Sequence, residues 1–471
     1  MTLATPTSGR PVPDAASFVA DLAERTAATR AADLPPTVLV RARHSLLDCL
    51  GTMLGGHAEP VAQGVLRAEL AEPGPPRATV VGSTHRLSTR QAALANGAAA
   101  HALDYDDNCA WMLGHPSAPT VPAVLALAER EDATLDDAVV ALVAGLDAGA
   151  RIGLALTTHH YDAGWHGTGT VGTMAAAAAC ARLLGLDPGR TAEAVELAAS
   201  HATGLKAVFG TMGKPLNAAK AALNGLLAAE MAAAGVTARA GILAGPGGFG
   251  ALTEGRFDPA RPDEVLGDRH GIEGVTYKFH ASCAGTHPTI DGIERLRREH
   301  GWEPGEVTAI EVSVPAPLLS VCNIAVPTSG LEGKFSLAFT AGLAAEGRPT
   351  GPATFVDEVV AEPRLRELVG ATTVTAGPDD HTHGVRVALR DGTSRTTTGG
   401  FEEPVPDDGL DDQWARLATK FAQLAGPVLG AGPADALIAA LGGPDGRTPV
   451  RAVLDLTRPA AGPGAADAQG R

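Results

Sequence analysis

The chain has 471 residues, 45% of them apolar, and a formal net charge of −16. That length exceeds one ordinary domain and points to two or three lobes, and the apolar content excludes a disordered protein. The negative charge argues against nucleic acid and anionic membrane as partners, so an anionic substrate needs a local cationic pocket.

Residues 1–14 and 458–471 are rich in Pro, Gly and Ala and read as flexible termini. The start has no apolar run of the signal-peptide kind, and the five cysteines (Cys49, Cys109, Cys180, Cys283, Cys322) form no C-x-x-C pair. Both features lead us to expect reduced thiols and a cytoplasmic protein. Helical patterning begins near Ser17, runs through 38–56 and recurs with short breaks to about Gly235, with several segments opening at Thr or Asp caps. ATVVGS (78–83) is the one strand candidate there and reads as a connection. The Ala-rich run 171–186 is interrupted by Arg182 and reads as a packed helix, not a membrane span.

The pattern changes after about Pro259. Segments 307–317, 371–377, 384–392 and 394–400 are strand-like, the last two joined by the hairpin signal Asp391-Gly392. Helices are expected at 289–300, 337–346 and 355–368, and helical patterning returns from about 409 to 441. The fold expected is mainly α, a large all-helical domain plus a smaller α+β lid domain. Its parts are 15–265 (helical domain, first part), 266–405 (lid) and 406–457 (helices returning to the first part).

Four stretches could carry chemistry. HALDYDDNCAWMLGHPSAPT (101–120) sets three carboxylates, Asp104, Asp106 and Asp107, beside a His-Pro-Ser turn at His115, between two helical segments. The plain alternative is that the acids cap helices and His115 fills a turn. GWHGTGTVGT (164–173) places His166 at a helix start, where free N–H groups and the dipole suit a carboxylate. GTMGKPLNAAK (210–220) puts Lys214 at the mouth of an apolar helix, where desolvation could tune it for proton work. KFHASCAGTHPTIDGI (278–293) holds His280, Cys283 and His287 in the spacing H-x-x-C-x-x-x-H. No second Cys or His pair accompanies that spacing, so no metal is expected, and His287 reads as an acid/base or anion-contacting residue. GPGGFG (245–250) fits G-x-G-x-x-G but lacks a strand–turn–helix setting, so a dinucleotide site is not expected.

In this order and spacing the segments resemble the MmgE/PrpD family, whose members dehydrate 2-methylcitrate, decarboxylate cis-aconitate or epimerise iminodisuccinate. The matching text is NGAAAHALDYDDN, GHPSAPTVPAVLALAE, GWHGTGTVGTMAAAAACARLLGLD, GTMGKPLNAAKAALNGLLAAEMAAAGVTA, KFHASCAGTHPTIDGI and GKFSLAFTAGLAA, within 16–441. The resemblance implies a homodimer without metal or organic cofactor, its active site lying between the two domains. Carried over by position, the family's polar site residues fall on Asp104, His115, His166, Lys214 and His287. Lys278, Thr286 and Lys206 are the expected substrate contacts. The chain departs from the family at Asn217, where a His is common, at Ala284 and Gly285, where Arg and Tyr are common, and at Phe339, where the decarboxylase branch has Tyr. These changes suggest a ligand with fewer carboxylates, or a wider pocket.

The shared hard step of that family is making or quenching a carbanion beside a carboxylate or imine carbon, which needs a base and nearby cations. Lys214 with His166 or His115 could supply both, Asp104 could orient an imidazole, and His287 could act as acid for a departing hydroxyl or contact a carboxylate. The reaction expected first is dehydration of a 2-methylcitrate-like β-hydroxy carboxylate. Decarboxylation and epimerisation are the alternatives, and a non-catalytic carboxylate binder is a further one.

Overall fold

A computed structural model describes residues 15–253, 257–378, 382–443 and 446–459. The expected flexible termini fall almost wholly on 1–14 and 460–471, which lie outside the described residues. The fold is mainly α with a smaller α+β part, as the periodicities imply.

The body is built from helices that include Pro36–Gly56, Thr89–Ala102, Ser117–Arg130, Leu135–Asp162, Gly167–Leu183 and Gly213–Ala233. The caps are those the sequence offers. Ser88 and Gln91 form a capping box, as do Thr134 and Asp137, and Asp187 accepts from the Arg190 amide. Gly167–Leu183 and Gly213–Ala233 are Ala-rich because they pack closely against one another. A Cβ on Gly225 would lie 2.6 Å from Ala176 Cβ and 2.6 Å from Thr173 O, so only glycine permits that approach. Leu135–Asp162 is long and apolar enough to cross a membrane, but it is almost wholly buried against its neighbours.

The second part holds a four-stranded sheet in the order Thr372–Ala376, Val307–Val314, His383–Leu389, Ser394–Gly399. Only the first pair is parallel. The Asp391-Gly392 turn closes its hairpin with Gly392 at φ 84°. Val307, Ile310, Val312 and Val314 face Ile290, Ile293 and Leu296 of helix His287–His300 and Leu337 and Ala341 of Leu337–Ala345 in one apolar cluster. The single helix expected over 355–368 is two, Asp357–Val360 and Pro363–Gly370. Pro363 lacks the N–H that would continue the first and disfavours helical geometry at Glu362. After the sheet, Leu410–Leu429 packs along Pro36–Gly56, with Phe421 and Leu417 buried in the body's core.

One pairing joins the segments that carry Asp104 and Lys278. Asn108–Cys109 pairs antiparallel with Val275–Thr276, tying the loop after Thr89–Ala102 to the strand that leads into Lys278. Asp104, in the same loop, has a φ of 51°. A left-handed non-glycine residue is a strained position that its surroundings must enforce.

Candidate active site

The three carboxylates of the 101–120 loop have three different fates. Asp104 Oδ1 accepts from Lys214 Nζ at 2.7 Å and from Lys278 Nζ at 2.7 Å, and Lys278 Nζ also reaches Asp104 O at 3.1 Å. Burial alone would raise the Asp104 carboxyl, but Lys214 and Lys278 hold it well below the usual range. Asp106 accepts from His101 Nδ1 at 2.8 Å and lies 3.2 Å from His115 Nδ1. Burial opposes its charge too, and those two imidazoles outweigh it, keeping Asp106 ionised. Asp107 accepts from the Ser117 hydroxyl at 2.5 Å and its amide at 3.1 Å, at the start of Ser117–Arg130. Burial and the nearby Asp48 push it up to about 8, so it is protonated at neutral pH and serves as a structural tie.

The other expected residues arrive on helix ends. His166 is the N-cap of Gly167–Leu183, Lys214 opens Gly213–Ala233, His115 stands just before Ser117–Arg130, and His287 begins His287–His300. Helix N-termini carry partial positive charge, so their convergence favours an anion. Asp104, His115, His166, Lys214, Lys278 and His287 all line one cavity of about 990 Å³. The rings are close: His101 and His115 centroids lie 4.6 Å apart, His101 and His166 5.8 Å, and Phe209 meets His166 edge-on at 5.0 Å.

The imidazoles are neutral near pH 7. Burial lowers His115 to about 4, with Lys278 and Lys214 adding to it against Asp106. Burial and Lys214 hold His166 well below its ordinary value, and burial with His280 does the same for His287. Tautomers follow from the partners. The Asn217 amide nitrogen can only donate, so at 3.1 Å His166 Nδ1 accepts and the ring hydrogen is on Nε2. His287 Nε2 donates to Ser282 O at 3.2 Å, which leaves its Nδ1 an acceptor. A neutral His287 in that tautomer has no hydrogen to give a leaving hydroxyl or a carboxylate.

Two expected substrate contacts do not reach the cavity wall. Lys206 Nζ donates to Tyr161 O at 2.9 Å and lies 3.8 Å over the Tyr161 ring, an arrangement that spends it locally. Thr286 is fully buried, its Oγ1 bound to Ser282 Oγ and Cys283 O, each at 2.8 Å. Lys278, in contrast, is central. Of the departures from the family pattern, Ala284 and Gly285 line the cavity and Asn217 holds His166. Phe339 does not take part: it is fully buried and packs against Phe355, 6.1 Å between centroids.

The sequence singles out neither His101 nor Lys334, and Asp106 only as one of three clustered carboxylates. His101 lies on the last turn of its helix, five residues before Asp106, and its partnership with Asp106 exists only because the loop turns back. Lys334 is buried, donates to Leu103 O at 2.6 Å, and burial lowers it to about 8. As for metal, two groups among the described residues bring three donor atoms within 4.8 Å: His101, Asp106, His115, and His280, Asp291, Glu294. The first stands beside the ammonium groups of Lys214 and Lys278, which oppose a cation. Of the H-x-x-C-x-x-x-H residues, His280 and His287 meet edge-on at 5.0 Å, but neither His287 nor Cys283 belongs to a three-donor group among the described residues, and His280 is bound to Thr350 and Asp291.

Residues 20–262 match the MmgE/PrpD N-terminal domain and 280–441 the MmgE/PrpD C-terminal domain. The chain is 28% identical to a cis-aconitate decarboxylase of Aspergillus terreus over 84% of this chain and 86% of that protein. It is 27% identical to the cis-aconitate decarboxylase-like protein oryM of Aspergillus oryzae, over 86% and 91%. The human cis-aconitate decarboxylase is 26% identical, over 82% and 85%.

Proposed function

The chain belongs to the MmgE/PrpD family, and from that premise we propose that it is a lyase decarboxylating an unsaturated acid of the cis-aconitate kind. In such a substrate the C–C bond to the departing carboxylate breaks and its electrons form a new C=C. The old double bond's electrons move to the carbon beside a second carboxylate, and that carbon takes a proton. The protein must seat two carboxylates, stabilise the developing negative charge and deliver one proton.

The observation that carries the reading is the pair of lysines on one carboxylate at the cavity wall. Lys278 uses two hydrogens on Asp104, through Oδ1 and O, and is an anchor. Lys214 makes one such bond among the described residues, which leaves two N–H groups for the substrate. Lys214 is therefore assigned charge stabilisation and proton delivery, His166 Nε2–H and His115 the orientation of carboxylates. Relatives named as cis-aconitate decarboxylases support decarboxylation over the other family reactions. Dehydration of a 2-methylcitrate-like hydroxy acid is the second reading. It needs an acid for departing hydroxide, and the tautomer of His287 speaks against that residue filling the role.

Incubation with cis-aconitate, 2-methylcitrate and iminodisuccinate in D₂O, followed by NMR and CO₂ release, separates these readings. Deuterium in a CO₂-depleted product supports decarboxylation, and an unsaturated product from the hydroxy acid with no CO₂ supports dehydration. Binding with neither exchange nor product leaves a carboxylate binder.

A further inference from the structure

Four carboxylates (Asp104, Glu273, Glu402, Glu403) and four cations (Arg41, Lys214, Lys278, Arg269) line the cavity, and its imidazoles are neutral. A compact tricarboxylate brings three negative charges and asks for a surplus of cations. Here Asp104 already takes one charge of the Lys214–Lys278 pair, and Arg41 is answered by Asp407 at 2.8 Å. Among the lining groups, the Lys214–Lys278–Asp104 cluster keeps one positive charge, helped by the helix N-termini.

One stretch of the wall beside that cluster is apolar. Phe209 and Phe335 flank Lys214, with Nζ 5.5 and 5.2 Å from their centroids. Leu318 and Val321 form another part of the wall. Gly285 explains why no longer polar side chain stands there: a Cβ would lie 2.9 Å from Leu318 Cδ2 and 2.8 Å from Cys322 Sγ, so the space is already taken by apolar groups. A cavity of about 990 Å³ is also several times larger than a six-carbon acid requires.

We infer that the substrate is a dicarboxylate bearing an apolar arm, seated with its carboxylates at Lys214, His166 and His115 and its arm along Phe335, Leu318 and Val321. This rests on the decarboxylase reading above and narrows it. The chemistry needs two carboxylates, one to leave and one to hold the carbanion, and it does not need the third. A 3-alkylglutaconate meets this: loss of CO₂ from its CH₂ end forms the new C=C, the carbon beside the remaining carboxylate takes one proton, and a 3-alkylbut-3-enoate results.

The test compares cis-aconitate with 3-methyl-, 3-propyl- and 3-hexylglutaconate on the intact protein, reading CO₂ release and, separately, binding by calorimetry. Burial of the arm should raise kcat/KM by about fourfold per methylene, and Leu318→Arg should shift preference back toward cis-aconitate by at least about tenfold. Preference for cis-aconitate in the native protein, or a series flat in chain length, overturns the inference while leaving decarboxylation intact. If no acid releases CO₂, the decarboxylase reading fails by itself. Binding then decides the inference: affinity rising with chain length upholds it, and equal or falling affinity overturns it.

Discussion

Lys214 and Lys420 each sit buried on a buried carboxylate, Asp104 and Asp48, and only the first pair belongs to the candidate site. Lys420 Nζ donates to Asp48 Oδ1 at 2.6 Å, to Tyr105 O at 2.6 Å and to Lys278 O at 2.8 Å, which uses all three hydrogens. It clamps Leu410–Leu429 to the segment carrying Lys278, and it does not line the cavity. Lys214 spends one hydrogen on Asp104 and faces the cavity with the rest. Residue type, burial and ion pairing are alike. The difference is unspent hydrogen-bonding capacity turned toward space a ligand can enter, and that capacity is what separates a working lysine from a structural one.

The largest expected effect follows from that contrast. Lys214→Ala should lower turnover by about 10²- to 10⁴-fold, with little loss of stability, because Lys278 still answers Asp104. Activity within a few-fold of wild type, in a variant shown folded by thermal melting, would remove Lys214 from the chemistry. Lys420→Ala should do the reverse. It leaves Asp48 buried without its counter-charge and should cost about 3–5 kcal/mol of stability in urea titration, while the fraction that remains folded keeps its kcat.

Asp107 sharpens the comparison through pH. Its folded pKa is raised to about 8 from an ordinary 3.8, so its contribution to stability is complete at low pH and is lost as pH rises toward 8. Between pH 5 and 8 the wild type should lose up to about 4 kcal/mol relative to Asp107→Asn, at about 1.36 kcal/mol per pH unit. Parallel stability–pH curves for the two proteins would show that the carboxyl is ionised throughout. Asn217→Ala frees His166 Nδ1 and should reduce kcat by about tenfold through loss of the tautomer, roughly the worth of one hydrogen bond, with KM nearly constant. The smallest effect belongs to Lys206→Ala. Its ammonium is held by Tyr161, so kcat/KM should stay within about threefold, on the scale of surface substitutions, and a loss beyond tenfold would return it to the substrate.

Helices with strong periodicity and capping boxes, such as Thr89–Ala102 behind Ser88, were legible in the sequence because their signals are local. So were the four strands and the Asp391-Gly392 turn. His115, His166, Lys214 and His287 stood out as titratable residues in Gly-, Pro- or Ser-containing turns at helix mouths, and Asp104 as one of three clustered carboxylates. Legibility stopped where an outcome needs two distant segments. Lys206 and Lys278 are both single lysines in mixed surroundings, and only the pairing of Asn108–Cys109 with Val275–Thr276 decides which of them meets Asp104.

By itself, then, the chain determined a helical body, a small sheet-bearing part and a set of acids, imidazoles and lysines at helix starts, since each follows from neighbours a few residues apart. The tertiary structure alone decided which carboxylate is ionised, which lysine keeps hydrogens to give, and which imidazole nitrogen bears its proton. Those are properties of charges and partners brought within about 3 Å from positions as far apart as Asp104 and Lys278, and burial sets their energies only after that meeting has occurred.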